Sequence, residues 1–196
     1  MAAPRRVGAE NSATRALILD ATEHVLVEEG YAAASTRRVA ARAGLKPSLV
    51  HYYFPTTDDL LIAVYRRAAD WSTELLDQAL ADPDPLMALW NYTIDTTRTA
   101  LVLEFMALAT HRKALQAEMK AHSGESHAKQ LVVLERVLGD RAKTLPPQVL
   151  ANLISGVGRM MVLETGTGVS DGHAAMRVWF EAWLGQLAGN TPADAV

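Results

Sequence analysis

The chain of 196 residues contains no cysteine. This absence excludes a disulfide framework and thiolate chemistry, and it fits a reducing cytosol. The chain also lacks any run of about 18 uncharged apolar residues, which a membrane-spanning helix would need, and its first ten residues lack the apolar core of a signal peptide. We therefore expect a soluble, cytoplasmic protein without a membrane partner.

Motifs for catalysis and for metal binding are also missing. No two histidines have the i, i+4 spacing of a His-Glu-x-x-His zinc site, and no cysteine could complete such a site. The pairs Gly156/Gly158 and Gly166/Gly168 lack the third glycine and the preceding strand of a dinucleotide loop. No Gly-x-Ser-x-Gly nucleophile elbow occurs. The sequence thus predicts no enzyme, no catalytic residue, no metal and no cofactor.

Helical periodicity dominates the sequence, and no segment alternates apolar and polar residues for long enough to predict a strand. In the first predicted helix, at about 12–29, Ile18, Ala21, Thr22, Val25 and Leu26 form an apolar stripe at helical spacing. Further helices are predicted at 36–43, 47–54, 58–80, 85–99, 101–111, 113–139, 147–165 and 172–188. Ser123 and Gly124 could interrupt the seventh helix. The expected fold class is all-α.

Residues 36–54 have the pattern of two short helices around a glycine turn, which is a helix-turn-helix. Ser35 or Thr36 can cap the first of these helices. Gly44 supplies a left-handed turn residue, and Pro47 suits the first turn of the second helix.

Positive charge is concentrated in this motif. It contains Arg37, Arg38, Arg42 and Lys46, and no acidic residue occurs between residues 30 and 54. The first 57 residues carry a formal charge of +2 and the remainder −5, in a chain of net charge −3. A basic patch on an otherwise acidic chain is typical of a protein that meets nucleic acid at one end.

Residues 14–61 resemble the TetR family of bacterial transcriptional repressors. The family order of short motifs is matched by Ile18-Leu19-Asp20-Ala21, Gly30-Tyr31, Thr36, Val39-Ala40-Ala41-Arg42-Ala43-Gly44-Leu45, Val50-His51-Tyr52-Tyr53-Phe54 and Asp58-Asp59-Leu60-Leu61. The chain departs from the family at Thr57, where a phosphate-contacting lysine is frequent. It also departs at His51, which replaces a tyrosine, and at Lys46, which replaces a small capping residue.

The resemblance implies which residues of the helix-turn-helix contact double-stranded DNA. Thr36, Arg37, Lys46 and Tyr52 would hold phosphates, which fix the register of the complex. Pro47, Ser48, Leu49 and His51 would reach base edges in the major groove.

The domain organisation expected from these patterns has three parts. A DNA-binding domain at 1–57, whose residues 1–11 form a flexible arm, is followed by a connecting helix at 58–81. A larger ligand-binding and dimerisation domain occupies 82–196, after the proline-rich break at residues 82–85.

In this larger domain the resemblance implies a homodimer built from the last two helices, which would read a palindromic operator. The candidate interface comprises Leu153, Val157, Met161, Met176, Phe180, Trp183, Leu184 and Leu187. Gly156 and Gly158 would let another helix approach closely. An internal core stripe is the competing interpretation of these apolar residues.

The resemblance also implies a pocket for a small-molecule effector that releases the DNA. Candidate lining residues are Trp90, Asn91, Asp95, Glu104, Phe105 and His111. A buried Glu104 would need a partner such as Arg98, His111 or a cationic ligand, and an exposed position at a helix edge is the alternative.

Two other functions remain open from the residues alone. One is an all-α ligand-binding or helical enzyme domain with an incidental helix-turn-helix. The other is a protein-interaction module that uses the apolar C-terminal helices to bind a different chain.

Overall fold

The computed structural model describes residues 12–189, so the arm predicted at 1–11 lies outside the described residues. The helices in this range are α1 (Ala13–Glu29), α2 (Thr36–Ala43), α3 (Pro47–Tyr53), α4 (Thr57–Ala81), α5 (Pro85–Ile94), α6 (Thr96–Ala109), α7 (Lys113–Leu138), α8 (Pro147–Gly166) and α9 (His173–Ala188). Single 3-10 turns occur at Tyr31–Ala33 and Gly139–Lys143. Residues 12–189 contain no strand, and the all-α prediction is confirmed.

The chain divides into two compact units. The first unit contains the residues up to Asp70 together with Leu101–Lys120, and the second contains Trp71–Ala100 and the residues from Ala121 onward. Helices α4, α6 and α7 therefore contribute residues to both units. The predicted boundaries at 57/58 and 81/82 lie within one residue of the ends of α4, and the predicted division into domains remains a prediction.

The first unit has its own apolar core. The stripe predicted for α1 is buried, and the hydroxyl of Thr22 donates to the Ile18 carbonyl at 2.7 Å, which satisfies a polar group inside this core. Other helices of the unit add Val39, Val50, Leu60, Leu61, Val64, Phe105 and Leu115 to the same core.

The second unit is organised around Trp90, which is completely buried. Its ring centroid lies 4.7 Å from that of Phe180, and its indole Nε1–H donates to Glu181 Oε1 at 3.0 Å. The hydrogen bond removes the cost of burying an indole donor. Helices α5, α8 and α9 supply most of the remaining core, which includes Leu86, Leu89, Leu150, Ile154 and Leu184.

The single helix predicted at 85–99 is wrong, because α5 ends at Ile94 and α6 begins at Thr96. The side chain of Asp95 caps α6 by accepting the Arg98 backbone N–H at 2.7 Å. The break also uses Thr99, whose hydroxyl donates to the Thr93 carbonyl at 2.7 Å. Neither proline nor glycine marks this boundary. The sequence pattern therefore predicted one continuous helix across it.

By contrast, α7 runs without interruption through Ser123 and Gly124. A glycine in a helix interior costs about 1 kcal/mol relative to alanine. That cost does not break a helix of 26 residues.

Candidate nucleic-acid interface and ligand-binding residues

The helix-turn-helix is formed by α2 and α3. Ser35 is the N-cap of α2, and its hydroxyl accepts the Arg38 backbone N–H at 3.3 Å. Gly44 ends α2 with φ +67°, a left-handed conformation that favours glycine. Pro47 then occupies the first turn of α3. The local signals in the sequence thus place both helices as predicted.

Buried side chains fix the orientation of α3. Val39 and Val50 are essentially inaccessible, and Phe54 is buried directly after the helix. The guanidinium of Arg15, from α1, lies 5.2 Å from the centroid of the Phe54 ring. With its apolar side held in this way, α3 presents its other side to solvent.

All eight residues predicted to contact DNA have accessible side chains in the structure. Thr36 and Leu49 are half-buried, whereas the other six are exposed: Arg37, Lys46, Pro47, Ser48, His51 and Tyr52. The Tyr52 ring meets Tyr53 edge to face, with a centroid separation of 5.3 Å. Their assignment as DNA contacts remains a prediction.

Two arginines of α2 are engaged by glutamates at the end of α1. Arg38 donates from Nε and Nη2 to Glu29 at 2.6–3.0 Å, and Arg42 donates from Nη1 and Nη2 to Glu28 at 2.6 and 2.8 Å. The hydrogen bond from each arginine lowers the pKa of its glutamate partner. The charge of these arginines is therefore largely balanced within the protein.

The remaining two basic residues of the motif differ in this respect. Arg37 and Lys46 are exposed, and neither forms an ion pair with any residue in 12–189. Lys46 is also the N-cap residue of α3, where its side chain makes no capping hydrogen bond. Both cations are therefore available to a phosphate backbone.

Arg112, between α6 and α7, connects the two sides of the helix-turn-helix within the first unit. Its Nη1 donates to Asp58 in the first turn of α4, and its Nη2 donates to the hydroxyl of Tyr31. Tyr31 precedes α2, and Asp58 follows α3. No pattern in the sequence indicates a role for Arg112, because a single arginine between two helices belongs to no motif.

A cleft of about 730 Å³ lies beside Arg112 in the first unit. Its lining includes Tyr31, Asp58, Glu104, His111 and Arg112. The structure thus brings together two of the predicted effector-contacting residues, Glu104 and His111. Phe105, from the same prediction, is buried in the core, where its ring lies 5.3 Å from that of Tyr65.

The other predicted pocket residues lie in the second unit. Trp90 belongs to its core, whereas Asn91 and Asp95 are exposed. Beside Asp95 lies Arg98, a charged residue that is only 7% exposed. Its guanidinium carbon is 3.6 Å from the centroid of the Tyr92 ring. Burial lowers the pKa of Arg98, while Tyr92 and Asp95 oppose this shift.

The residues predicted for the dimer interface occupy different environments in the second unit. Phe180 and Leu184 are buried in the core of that unit, so they are not accessible to a partner chain. Val157, Met161, Trp183 and Leu187 are half-buried against the same core. Leu153 and Met176 are 40% and 38% exposed.

No three His, Cys, Asp or Glu side chains in residues 12–189 are grouped as metal ligands would be. No helix in the same range is long and apolar enough to cross a membrane.

The chain is similar to known transcriptional regulators in sequence. Residues 18–64 match the family model described as bacterial regulatory proteins, tetR family. The chain is 25% identical over 171 residues to the HTH-type transcriptional regulator BetI of Rhizobium meliloti (strain 1021), a match that covers 87% of this chain and 77% of BetI.

Solved structures show the same fold over most of the chain. A transcriptional regulator from Rhodococcus sp. Rha1 superposes with a TM-score of 0.69 at 19% identity, over 89% of this chain and 94% of that one. The multidrug binding protein EbrR, complexed with proflavin, gives a TM-score of 0.57 at 26% identity, over 89% of this chain and 99% of EbrR.

An exposed basic helix-turn-helix at the head of an all-α chain defines a DNA-binding transcriptional regulator. Residues 18–64, which contain this helix-turn-helix, match the TetR family of bacterial regulatory proteins. The family resemblance recognised in residues 14–61 is thereby confirmed.

Proposed function

We propose that this regulator is a homodimeric repressor that occupies a palindromic operator and leaves it when a small-molecule effector binds. RNA polymerase is excluded while the operator is occupied. The proposal needs no catalytic step by the protein. The observation that carries it is the exposed face of α2 and α3, on which Arg37 and Lys46 have no acidic partner in residues 12–189.

We assign the DNA contacts to the accessible side chains of the helix-turn-helix. Arg37 and Lys46, with the hydroxyls of Thr36 and Tyr52, would hold phosphates. The accessible residues of α3 that remain for base contacts are Pro47, Ser48, Leu49 and His51. Ser48 and His51 can form hydrogen bonds with bases, whereas Pro47 and Leu49 offer apolar contact, for which a thymine methyl is suited.

Dimerisation is supported by an apolar stripe along the exposed side of α8. Val149, Leu153, Met160 and Leu163 are each at least 39% exposed, and with Gly156 they recur at alternating spacings of four and three residues. This spacing is that of a helix packed against another helix. No atom lies within 4 Å of a Cβ built on Gly156, so a partner helix could approach closely there.

Helix α9 adds further exposed apolar area. Met176, Val178 and Trp179 are 38%, 70% and 62% exposed. A soluble monomer seldom leaves so many large apolar side chains accessible on two successive helices. Both helices belong to the second unit, so we propose that a copy of this surface on another chain covers them.

Effector release is supported by the likeness to EbrR, whose structure holds proflavin. The accessible members of the predicted set offer two separate candidate locations for effector contacts. Glu104 and His111 line the cleft of the first unit, and Asn91 and Asp95 belong to the second unit. An effector that prefers one conformation shifts the population toward it. Arg112 offers a route into the helix-turn-helix, because its two hydrogen bonds join the segment before α2 to the segment after α3.

Selection from a random pool of duplex DNA, by the purified protein at a stated physiological salt concentration, tests this function. We expect enrichment of a palindrome whose half-sites lie about 34–36 Å apart. Failure of a folded protein to enrich any sequence would contradict the proposal. Enrichment of an undivided site without symmetry would contradict the dimeric form of the proposal.

A further inference from the structure

Arg98 in the second unit uses only part of its hydrogen-bonding capacity. Its Nε and Nη2 donate to the carbonyl of Tyr92, near the end of α5, and Nη2 also donates to the Thr99 hydroxyl at 3.0 Å. No partner for Nη1 occurs among residues 12–189. Within that range, every buried side-chain nitrogen or oxygen has a partner. Nη1 of Arg98 is therefore open to solvent and can donate two hydrogen bonds.

A second arginine, Arg159 of α8, is near enough to Arg98 and Tyr92 to interact with both electrostatically. It follows Gly158, whose missing side chain lets α8 pack directly on Thr93 of α5. Thr93 is in turn the neighbour of Tyr92, over whose ring the Arg98 guanidinium lies. Arg159 is half-buried and forms no hydrogen bond or ion pair within residues 12–189.

The two guanidinium groups lack a matching carboxylate. Asp95 is the nearby acid, but its Oδ1 accepts the backbone N–H of Arg98 rather than the guanidinium. Burial lowers the pKa of Arg98, and the positive charge of Arg159 adds to the shift. Burial likewise lowers the pKa of Arg159. Buried charges in proteins are normally paired, so this cluster lacks one negative charge.

We propose that Arg98 and Arg159 form a binding site for a small organic carboxylate, which supplies the missing negative charge and is the effector of this regulator. The inference rests on the proposed function, because it names the chemical class of the effector. Two arginines against one aspartate leave a charge of +1, which a singly charged carboxylate balances. A guanidinium presents paired N–H donors that match the two carboxylate oxygens.

Carboxylate binding to the full-length protein, without DNA, tests this site. The thermal unfolding midpoint would be followed as sodium acetate replaces sodium chloride at constant ionic strength, because a ligand that binds only the folded state raises the midpoint. Acetate is small enough that shape cannot prevent its entry. Titration with benzoate and with benzamide, which differ in charge but hardly in size, then tests whether an organic acid is preferred to its neutral amide.

Arg159→Gln is the informative variant, since Arg159 holds no other residue in place within 12–189. Arg98→Lys keeps the charge of Arg98 and removes its forked geometry. Arg136→Gln is the matched control, because Arg136 is exposed on α7. Lys46→Gln tests whether the anions bind instead at the helix-turn-helix.

We expect acetate and benzoate to stabilise the wild-type protein, benzamide to have no such effect, and Arg159→Gln to weaken carboxylate binding by about tenfold or more. Arg98→Lys should also weaken it, and both controls should bind as the wild type does. Equal binding by Arg159→Gln and wild type would overturn the inference. Equal binding of benzoate and benzamide, or no preference for acetate over chloride, would overturn it as well.

Failure of this inference and failure of the proposed function can be distinguished. A protein that selects a palindrome but shows no Arg159-dependent carboxylate binding retains its proposed function and loses this inference. A protein that binds carboxylates through Arg159 but selects no DNA keeps the site and loses the regulatory function.

Discussion

Gly158 of α8 and Thr93 of α5 touch so closely that no side chain fits between them. A Cβ built on Gly158 would lie 2.5 Å from Cγ2 and 3.1 Å from Cβ of Thr93. Thr93 cannot rotate away at low cost, because its hydroxyl donates to the Leu89 carbonyl at 2.8 Å. The contact sets the approach of the two helices and places Arg159 beside Tyr92.

The first prediction concerns this contact. Gly158→Ala should lower the free energy of unfolding by about 1–3 kcal/mol, since the added methyl forces the helices apart. The control is Gly124→Ala in α7, where the added methyl meets no atom within 4 Å and should leave stability unchanged or slightly raised. Urea unfolding of both variants measures the difference in the free energy of unfolding. A Gly158→Ala variant as stable as Gly124→Ala would show that the contact with Thr93 leaves room for a methyl group.

The second prediction concerns Lys46. Lys46→Gln should weaken binding to all duplexes to a similar degree and reduce the slope of log K against log salt by about 0.9, as expected for one lost phosphate contact. Lys143→Gln, which removes an exposed lysine from the second unit, is the control. Operator titrations at several salt concentrations give both slopes. Identical slopes for the two variants would show that Lys46 does not contact the phosphates of the DNA.

The third prediction concerns the pairing of Arg38 with Glu29. Glu29→Gln removes the acid that balances Arg38, so we expect tighter DNA binding and a salt slope steeper by up to about 0.9. Glu135→Gln on exposed α7 removes the same charge away from the helix-turn-helix. If both variants bind DNA equally well, long-range charge rather than release of Arg38 explains any gain.

The fourth prediction concerns Arg112. Arg112→Gln should increase hydrogen exchange in residues 31–36 and in the first turn of α4, because the hydrogen bonds to Tyr31 and Asp58 are lost. Tyr31→Phe removes only one of these bonds, so its effect should be confined to residues 31–36. Exchange mass spectrometry resolves the two segments, and unchanged exchange in both would show that Arg112 does not hold them.

The fifth prediction concerns the exposed stripe on α8. Leu153→Glu should weaken self-association by about tenfold or more, since it places a charge in an apolar interface. Val132→Glu is a matched control, because Val132 is 70% exposed on α7. Sedimentation equilibrium of the two variants distinguishes specific loss of the interface from a general effect of charge. Equal self-association affinities for the two variants would show that the interface does not involve this stripe of α8.

Sequence patterns predicted the helix-turn-helix accurately because its signals are local. Ser35, Gly44 and Pro47 each act on the backbone within one turn of their own position, and each occupies the predicted place. The apolar stripe of α1 was also predicted correctly, because its helical spacing is visible in the sequence. The boundary at Asp95 was missed because an aspartate cap resembles an ordinary polar helix residue unless its hydrogen bond to Arg98 is known.

Features that depend on packing between helices were less accessible to sequence reasoning. Phe180 and Leu153 are both large and apolar, yet only the packing of α9 and α8 reveals that one is buried and the other 40% exposed. Likewise, Gly156 and Gly158 are two residues apart, and only the structure shows that Thr93 fills the space at Gly158. The placement of Arg98 over Tyr92 was not predicted either. It depends on the break between α5 and α6, which the sequence pattern did not indicate.

In the proposed homodimer, two chains together read one symmetric DNA site. The most direct test measures binding of the wild-type protein to a selected palindromic duplex and to the same duplex with one half-site scrambled, at one stated salt concentration. We expect scrambling of one half-site to weaken binding by about 100-fold or more, because one recognition helix loses its bases. Equal affinity for the two duplexes would contradict it.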